Sequence, residues 1–131
     1  MRLSCARTGL AAFACAGLAA VAGCADAVHE QWESREPLPS CGTVQLRHGE
    51  SLESRGTEQV QCLRVALDSG RGGELRIEYP TAEGDPVTEY YRVTPEGTTE
   101  VYTDATKDTN SDQRWSYGEC DRPTSVLDVA C

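Results

Sequence analysis

The sequence predicts an α+β fold, in which one helix packs on an antiparallel β-meander of about four to five strands stapled by disulfides. Two of the observations behind it concern periodicity. Apolar residues recur at helical spacing between residues 57 and 69, and they alternate with polar residues from 74 to 103. The third is that four cysteines fall within residues 41–131, which we expect to form a single small domain.

The predicted helix follows a short first strand at residues 42–46. Thr57 can cap a helix over residues 57–69, and Glu58 lies in its first turn, where the helix dipole favours an acid. The helix is expected to end at the glycines that follow residue 69. One of its faces is apolar and comprises Val60, Leu63, Ala66 and Leu67.

The β-meander is predicted from alternating apolar and polar residues, of which Leu75, Ile77 and Tyr79 are the clearest run. Turn sequences at residues 84–86 and 95–97 stand at hairpin distance between such segments. The strands are therefore predicted at residues 74–79, 87–93, 100–103, 115–117 and 127–129.

Residues 1–23 have the pattern of a bacterial export signal. Arg2 and Arg7 make the start positive, and residues 10–23 then carry no charge. That apolar stretch of about 14 residues is shorter than the ~20 that a membrane-spanning helix needs. The alternative, in which this stretch stays uncleaved as a transmembrane anchor, is therefore disfavoured.

Residues 21–24, Val-Ala-Gly-Cys, resemble the lipobox of bacterial lipoproteins. The resemblance implies that Cys24 carries a diacylglyceryl thioether and that the chain is cut before it. Two acyl chains give a stable membrane anchor. We therefore expect the extracytoplasmic face of the cell membrane as the location, with the membrane as a partner through the Cys24 lipid.

Residues 24–40 are expected to be the lipidated N-terminus followed by a flexible tether. Residues 25–40 show no apolar period and end in a Pro-Leu-Pro sequence. Trp32 lies within this segment, and we expect His29 to be exposed there.

The charge of the chain excludes some partners. Removing residues 1–23 deletes two arginines and no acid, so the mature chain is more acidic than the whole chain, whose formal net charge is −9. Such acidity argues against nucleic acid and against electrostatic docking on anionic lipid. It leaves an envelope protein, a cationic partner or a metal ion as candidates.

Four cysteines remain for the exported domain: Cys41, Cys62, Cys120 and Cys131. They allow three connectivities, of which we predict the sequence neighbours, Cys41–Cys62 and Cys120–Cys131, the second pair stapling the last two strands. A four-cysteine zinc site is the alternative, but the closely spaced pairs typical of zinc sites are lacking. A catalytic cysteine is disfavoured because His48 is the domain's one histidine.

Two acidic segments are candidate binding sites. Glu83 and Asp85 belong to a Glu-Gly-Asp-Pro sequence, which forms either a tight turn or a ligand contact. The second segment resembles a calcium loop in its spacing, although Gln113 replaces the required glycine and no flanking helices are predicted. The alternative for it is a solvated hairpin loop. Its candidate ligands are Asp104, Asp108, Asn110, Asp112 and Glu119.

Three features resemble domain-of-unknown-function family 4362: residues 79–87, residues 103–108, and the paired cysteines Cys120 and Cys131. They occur in order within residues 57–131. Members of that family are small bacterial proteins, often lipid-anchored, and have no assigned activity. The resemblance therefore implies the fold and export rather than a reaction.

The leading hypothesis for function is a non-catalytic envelope lipoprotein that binds a partner through its exposed sheet face or its acidic loops. No serine-hydrolase, phosphate-loop or zinc-protease motif is present. A calcium-binding module and a small envelope hydrolase are the alternatives, and no cofactor other than Ca²⁺ is expected. Six aromatic residues either form a binding patch or, as we favour, occupy core and sheet-face positions; they are Tyr79, Tyr90, Tyr91, Tyr102, Trp115 and Tyr117.

Overall fold

A five-stranded mixed sheet forms the centre of the molecule, whose computed structural model describes residues 26–129 and 131. The helices are α1 (Ala27–Ser34), α2 (Leu52–Arg55) and α3 (Thr57–Asp68). The strands are β1 (Ser40–Gln45), β2 (Gly73–Pro80), β3 (Pro86–Val93), β4 (Thr99–Asp104) and β5 (Trp115–Cys120). They lie side by side in chain order, which confirms the predicted α+β fold.

The meander is antiparallel from β2 to β5, but β1 runs parallel to β2. The predicted antiparallel meander is therefore confirmed for β2 to β5, and β1 adds a parallel strand at its edge. The reason is that α3 lies between β1 and β2 in the chain. A helical crossover returns the chain to the end at which β1 began, so β2 can run only in the same direction.

Helix α3 covers one face of the sheet, close to its predicted position. Leu63 on α3 and Leu75 and Val93 on the strands are fully buried in this core. The helix approaches so closely that a Cβ atom at Gly73 would lie 2.9 Å from the Cβ of Ala66. Only glycine fits there without a shift of the helix.

Helix α1 covers the opposite face, so the predicted flexible tether is wrong for residues 27–34. Trp32 is 8% exposed, and its ring centroid lies 4.0 Å from that of Tyr90. An isolated helix of this length is marginal in water, so packing against the sheet stabilises it. The prediction failed because the helix has too few apolar residues for a recognisable period.

The C-terminal segment is not the predicted last strand at residues 127–129. It crosses β5 at Gly118 instead. The two segments are so close there that a Cβ atom at Gly118 would lie 2.8 Å from the carbonyl oxygen of Val129. Val126 is buried in the α3 core, and the Thr99 hydroxyl donates a hydrogen bond to the carbonyl oxygen of Asp128. The segment therefore closes the core without joining the sheet.

Both predicted disulfide pairs are present. Cys41–Cys62 joins β1 to α3 with a Cα–Cα distance of 5.6 Å. Cys120–Cys131 joins the end of β5 to the crossing segment, rather than to a neighbouring strand, at 5.1 Å. Within the part of the chain described, no helix is both long enough and apolar enough to cross a bilayer.

Candidate functional site

The acidic residues of the β4–β5 loop make short-range contacts with their own loop. Asp104 accepts hydrogen bonds from the main-chain N–H of Thr106 at 3.0 Å and from its hydroxyl at 2.6 Å. Asp108 accepts from the main-chain N–H of Asn110 at 3.0 Å. Asp112 forms an ion pair with Arg114 at 2.9 Å. These carboxylates therefore shape turns of the loop.

Glu119 lies apart from the other predicted calcium ligands. It is opposite Glu100 on β4, and Tyr117 donates a hydrogen bond to it at 2.6 Å. A rise of ~3.3 Å per residue places it about 13 Å along β5 from Trp115, where the loop ends. Among the described residues, no three His, Cys, Asp or Glu side chains converge as a metal site requires. The predicted calcium ligand set is therefore not assembled.

Asp85 connects the β2–β3 turn to the β4–β5 loop. Its carboxylate accepts hydrogen bonds from the Thr109 hydroxyl at 2.6 Å and from the Thr109 main-chain N–H at 2.9 Å. These two bonds, the hydroxyl bond first, lower the pKa of Asp85 below its ordinary value. Glu83 is exposed in the same turn. The tight-turn interpretation therefore describes Asp85 better than a ligand contact.

The predicted aromatic patch is divided between the two faces of the sheet. Tyr79 and Tyr91 pack against the α3 core. The other four aromatic residues lie on the α1 face, where Trp32 covers them; they are Tyr90, Tyr102, Trp115 and Tyr117. His29 stacks on Trp115 with ring centroids 4.8 Å apart, while its side chain remains 43% exposed. Tyr102 and Trp115 are buried and the other four patch residues are half-buried, so the six do not form one exposed patch.

A buried arginine joins the strands beneath α1. Arg92 is 6% exposed and forms ion pairs with Glu74 at 3.0 Å and with Glu100. Its guanidinium also donates to the Glu36 carbonyl at 2.7 Å, and Arg35 pairs with the same Glu74 at 3.0 Å. This network satisfies the charges that α1 covers, so we assign it to docking of the helix.

An open cleft of about 550 Å³ lies between β1, β2 and the β2–β3 turn. Four of the chain's twelve basic residues line it, and they come from four separate segments. Glu78 is the acidic residue in its wall. In a chain with a net charge of −9, this concentration of positive charge stands out. We call it the basic cleft, and its cations are Arg47, Arg55, Arg76 and Lys107.

Each cation reaches the basic cleft from a different element. Arg47 follows β1 directly, and Arg55 ends α2, where Glu50 lies 3.6 Å from it. Arg76 projects from β2 and pairs with Glu78 at 2.5 Å. Lys107 lies in the β4–β5 loop. The side chains of Arg47 and Lys107 form no ion pair with any described carboxylate.

The chemistry of the basic cleft favours an anionic group. Arginine presents a planar fork that matches carboxylate and phosphate oxygens, and lysine adds a compact positive charge. The cleft also has apolar walls at Pro80, Pro86 and Val87. The β4–β5 loop also borders a concave surface of about 730 Å³, but there Asp104 is already hydrogen-bonded to Thr106 and Arg114 is paired with Asp112. The basic cleft is therefore the candidate binding site.

The sequence alone did not reveal the basic cleft. Its cations are separated by up to 60 residues, and no two of them fall within one predicted element. The overall acidity pointed instead to cationic partners. The parallel pairing of β1 with β2 brings the arginines together, and the hydrogen bonds from Thr109 to Asp85 hold the loop of Lys107 beside them.

No protein-family model, curated protein or solved structure matches the chain. The resemblance of residues 57–131 to family 4362 therefore stays a prediction.

Proposed function

We propose that the chain is a lipoprotein of the bacterial cell membrane, anchored through Cys24, whose extracytoplasmic domain binds an anionic group in the basic cleft without catalysis. The observation that carries the export part is the pair of disulfides. Disulfides form and persist in oxidising compartments outside the cytosol. They agree with a signal over residues 1–23 and a lipobox that ends at Cys24.

The start of the folded domain supports a direct anchor. Asp26 caps α1, because its carboxylate accepts a hydrogen bond from the main-chain N–H of Val28 at 3.1 Å. This cap lies two residues after Cys24 in the chain. A lipid on Cys24 would hold the domain against the membrane surface instead of letting it swing on a long tether.

The directions of the pKa shifts of acidic and phenolic side chains support a non-catalytic role. Hydrogen bonds lower the pKa of Glu53, Asp85 and Asp128. A general acid at neutral pH needs a raised pKa instead. Burial raises the pKa of Tyr79 and Tyr91, which keeps both phenols protonated. None of these shifts prepares a group for acid–base or nucleophilic work.

Binding is assigned to the basic cleft on charge and shape. Arg47 and Lys107 carry charge that described carboxylates leave unpaired, and the surrounding walls are concave. A ligand that supplied negative charge would complete these pairs. The calcium alternative lacks comparable support, since its ligands are dispersed.

The anchor is tested by intact-mass spectrometry of the protein extracted from the membranes of bacteria that express the whole chain. We expect a chain that begins at Cys24 and carries the added mass of a diacylglyceryl group. The Cys24→Ser variant should lose this mass and leave the membrane fraction. Cys15→Ser, a matched change inside the signal, should keep both. An unmodified wild-type Cys24 would overturn the proposed anchor.

The non-catalytic assignment is tested with the same purified protein. Incubation with panels of ester, phosphoester, peptide and glycoside substrates should give no turnover above that of a Cys24→Ser preparation boiled beforehand. Turnover that a single substitution abolishes would contradict it.

A further inference from the structure

The position of the basic cleft relative to Cys24 suggests what occupies it. Residues paired in one row across the sheet mark one end of the molecule, and they run from β1 to β5 as Gln45, Glu78, Thr88, Asp104 and Trp115. Three of these residues, Gln45, Glu78 and Thr88, line the basic cleft. We call this the Trp115 end of the sheet.

The anchor emerges at the same end. The main-chain N–H of Trp115 donates a hydrogen bond to the Asp26 carboxylate at 2.6 Å. Two residues of fully extended chain span at most about 7 Å, so Cys24 lies within that distance of Asp26. A lipid on Cys24 therefore brings the Trp115 end to the membrane surface. The basic cleft, near β2, is three strand spacings or about 15 Å from β5.

Charge at the Trp115 end is partly separated across the sheet. The three arginines of the basic cleft lie on the β1–β2 side, whereas Lys107 reaches the cleft from the β4–β5 loop, which also carries Asp108 and Asp112. Asp112 is paired with Arg114. Salt screens exposed charges beyond about 8–10 Å, so the acidic residues that lie farther than this from the cleft have little influence inside it. Local attraction of anions is therefore compatible with an acidic protein.

We propose that the basic cleft binds the phosphate of an anionic phospholipid headgroup in the membrane that holds the Cys24 anchor. This inference rests on the proposed function, because the anchor supplies the proximity. Arg47 and Lys107 are the principal contacts, since their charges are unpaired among the described residues. Arg76 and Arg55 line the cleft beside them and are already paired with carboxylates.

The chemistry distinguishes anionic from zwitterionic lipids. A phosphatidylglycerol headgroup has one negative phosphate and a neutral glycerol, which suits a cleft lined by four cations. The ammonium of phosphatidylcholine would have to lie among these cations and would be repelled.

The test is hydrogen–deuterium exchange of the lipidated protein in nanodiscs. The protein is reconstituted in phosphatidylcholine alone and in phosphatidylcholine mixed with phosphatidylglycerol. One basic side chain near an anionic membrane surface contributes about fivefold in association. We expect amides of residues 45–50 and 105–109 to exchange about fivefold more slowly in the anionic nanodiscs.

Charge reversal of two cleft residues tests whether the basic cleft is where the anionic lipid binds. Arg47→Glu together with Lys107→Glu should abolish the difference between the two nanodiscs. Arg122→Glu is the matched control, because Arg122 is exposed at the opposite end of β5. It should preserve the difference. Equal exchange of the wild-type protein in both nanodiscs, or loss of the effect in Arg122→Glu, would overturn the inference.

Two further outcomes must be distinguished: binding of a soluble phosphate, and absence of the lipid anchor. Glycerol phosphate added to the phosphatidylcholine nanodiscs should protect neither segment. Protection by this free phosphate as strong as that by the anionic lipid would assign the cleft to a soluble ligand and overturn the lipid source. The mass of the extracted protein is measured first, so an unmodified Cys24 would overturn the anchor and this inference together. A lipidated protein without protection would overturn only the inference.

Discussion

The Asp26 carboxylate accepts a hydrogen bond from the main-chain N–H of Trp115 at 2.6 Å, across 89 residues of chain. Its second oxygen accepts from the N–H of Val28 at 3.1 Å and so caps α1. One side chain therefore starts a helix and joins it to the first residue of the edge strand. This contact fixes where the chain leaves the domain toward Cys24.

Replacing Asp26 should destabilise the domain. Asp26→Ala removes a helix cap and a charged acceptor, and we expect the free energy of unfolding to fall by about 2 kcal/mol. Urea denaturation followed by circular dichroism measures this change. Glu33→Ala is the control, since Glu33 is exposed and pairs with His29 in the same helix. Equal losses in the two variants would contradict the assigned role of Asp26.

Trp32→Ala should be more damaging. Trp32 is 8% exposed and packs on Tyr90, Tyr102 and Trp115, so removing its ring leaves a cavity under α1. We expect a loss of about 3 kcal/mol or more, together with loss of near-ultraviolet circular dichroism. Val65→Ala, at a side chain that is 44% exposed, should change stability little. If residues 25–40 were a flexible tether, Trp32→Ala would change the free energy of unfolding as little as Val65→Ala.

Arg92→Met should cost about 3 kcal/mol, because it leaves Glu74 and Glu100 covered by α1 with fewer partners. The comparison is Arg71→Met at an exposed position, which should stay within about 0.5 kcal/mol of the wild type. Chemical denaturation of both variants at neutral pH measures the difference. Equal stability of Arg92→Met and the wild type would show that the buried ion pairs are dispensable.

Two aspartates share one arrangement and provide a matched test of pH dependence. Asp85 accepts from the hydroxyl and N–H of Thr109, and Asp128 accepts in the same way from Thr124. The pKa of each carboxyl is lowered from 3.8, chiefly by the hydroxyl. A lowered folded-state pKa stabilises the domain above the unfolded value, and this contribution is lost as the pH falls through the folded value.

Thr109→Val should therefore raise the pKa of Asp85 toward 3.8 and leave that of Asp128 unchanged. Thr124→Val should do the reverse. Carboxyl-carbon NMR titration of both variants resolves the two groups. The acid limb of stability should shift to higher pH in each variant. A pKa of Asp85 that does not respond to Thr109→Val would exclude the hydroxyl as its cause.

The parts that sequence predicted correctly depend on local pattern. The helical period over residues 57–69 and the alternation from 74 to 103 reproduce α3 and β2–β4 within a few residues. The disulfide pairing was also predicted, because close sequence neighbours in a small exported domain bridge readily. In contrast, the calcium ligands matched a spacing without the loop geometry that the spacing normally accompanies.

The failures all concern contacts between distant segments. Helix α1 has only Val28 and Trp32 directed to the aromatic cluster, and with Ala27 its three apolar residues in eight give no helical period. The last segment was predicted as a strand because Leu127 and Val129 alternate. It crosses over Gly118 instead, since the Cys120–Cys131 bridge and the core position of Val126 hold it there.

By itself, the sequence determined the α+β class and the two cysteine pairs, because the residues that carry these patterns lie close together in the chain. Only the tertiary structure decided the direction of β1, the docking of α1 and the gathering of four cations in the basic cleft. The reason is physical: charge and aromatic contacts act through space, and residues up to 60 positions apart come together only once the sheet has formed.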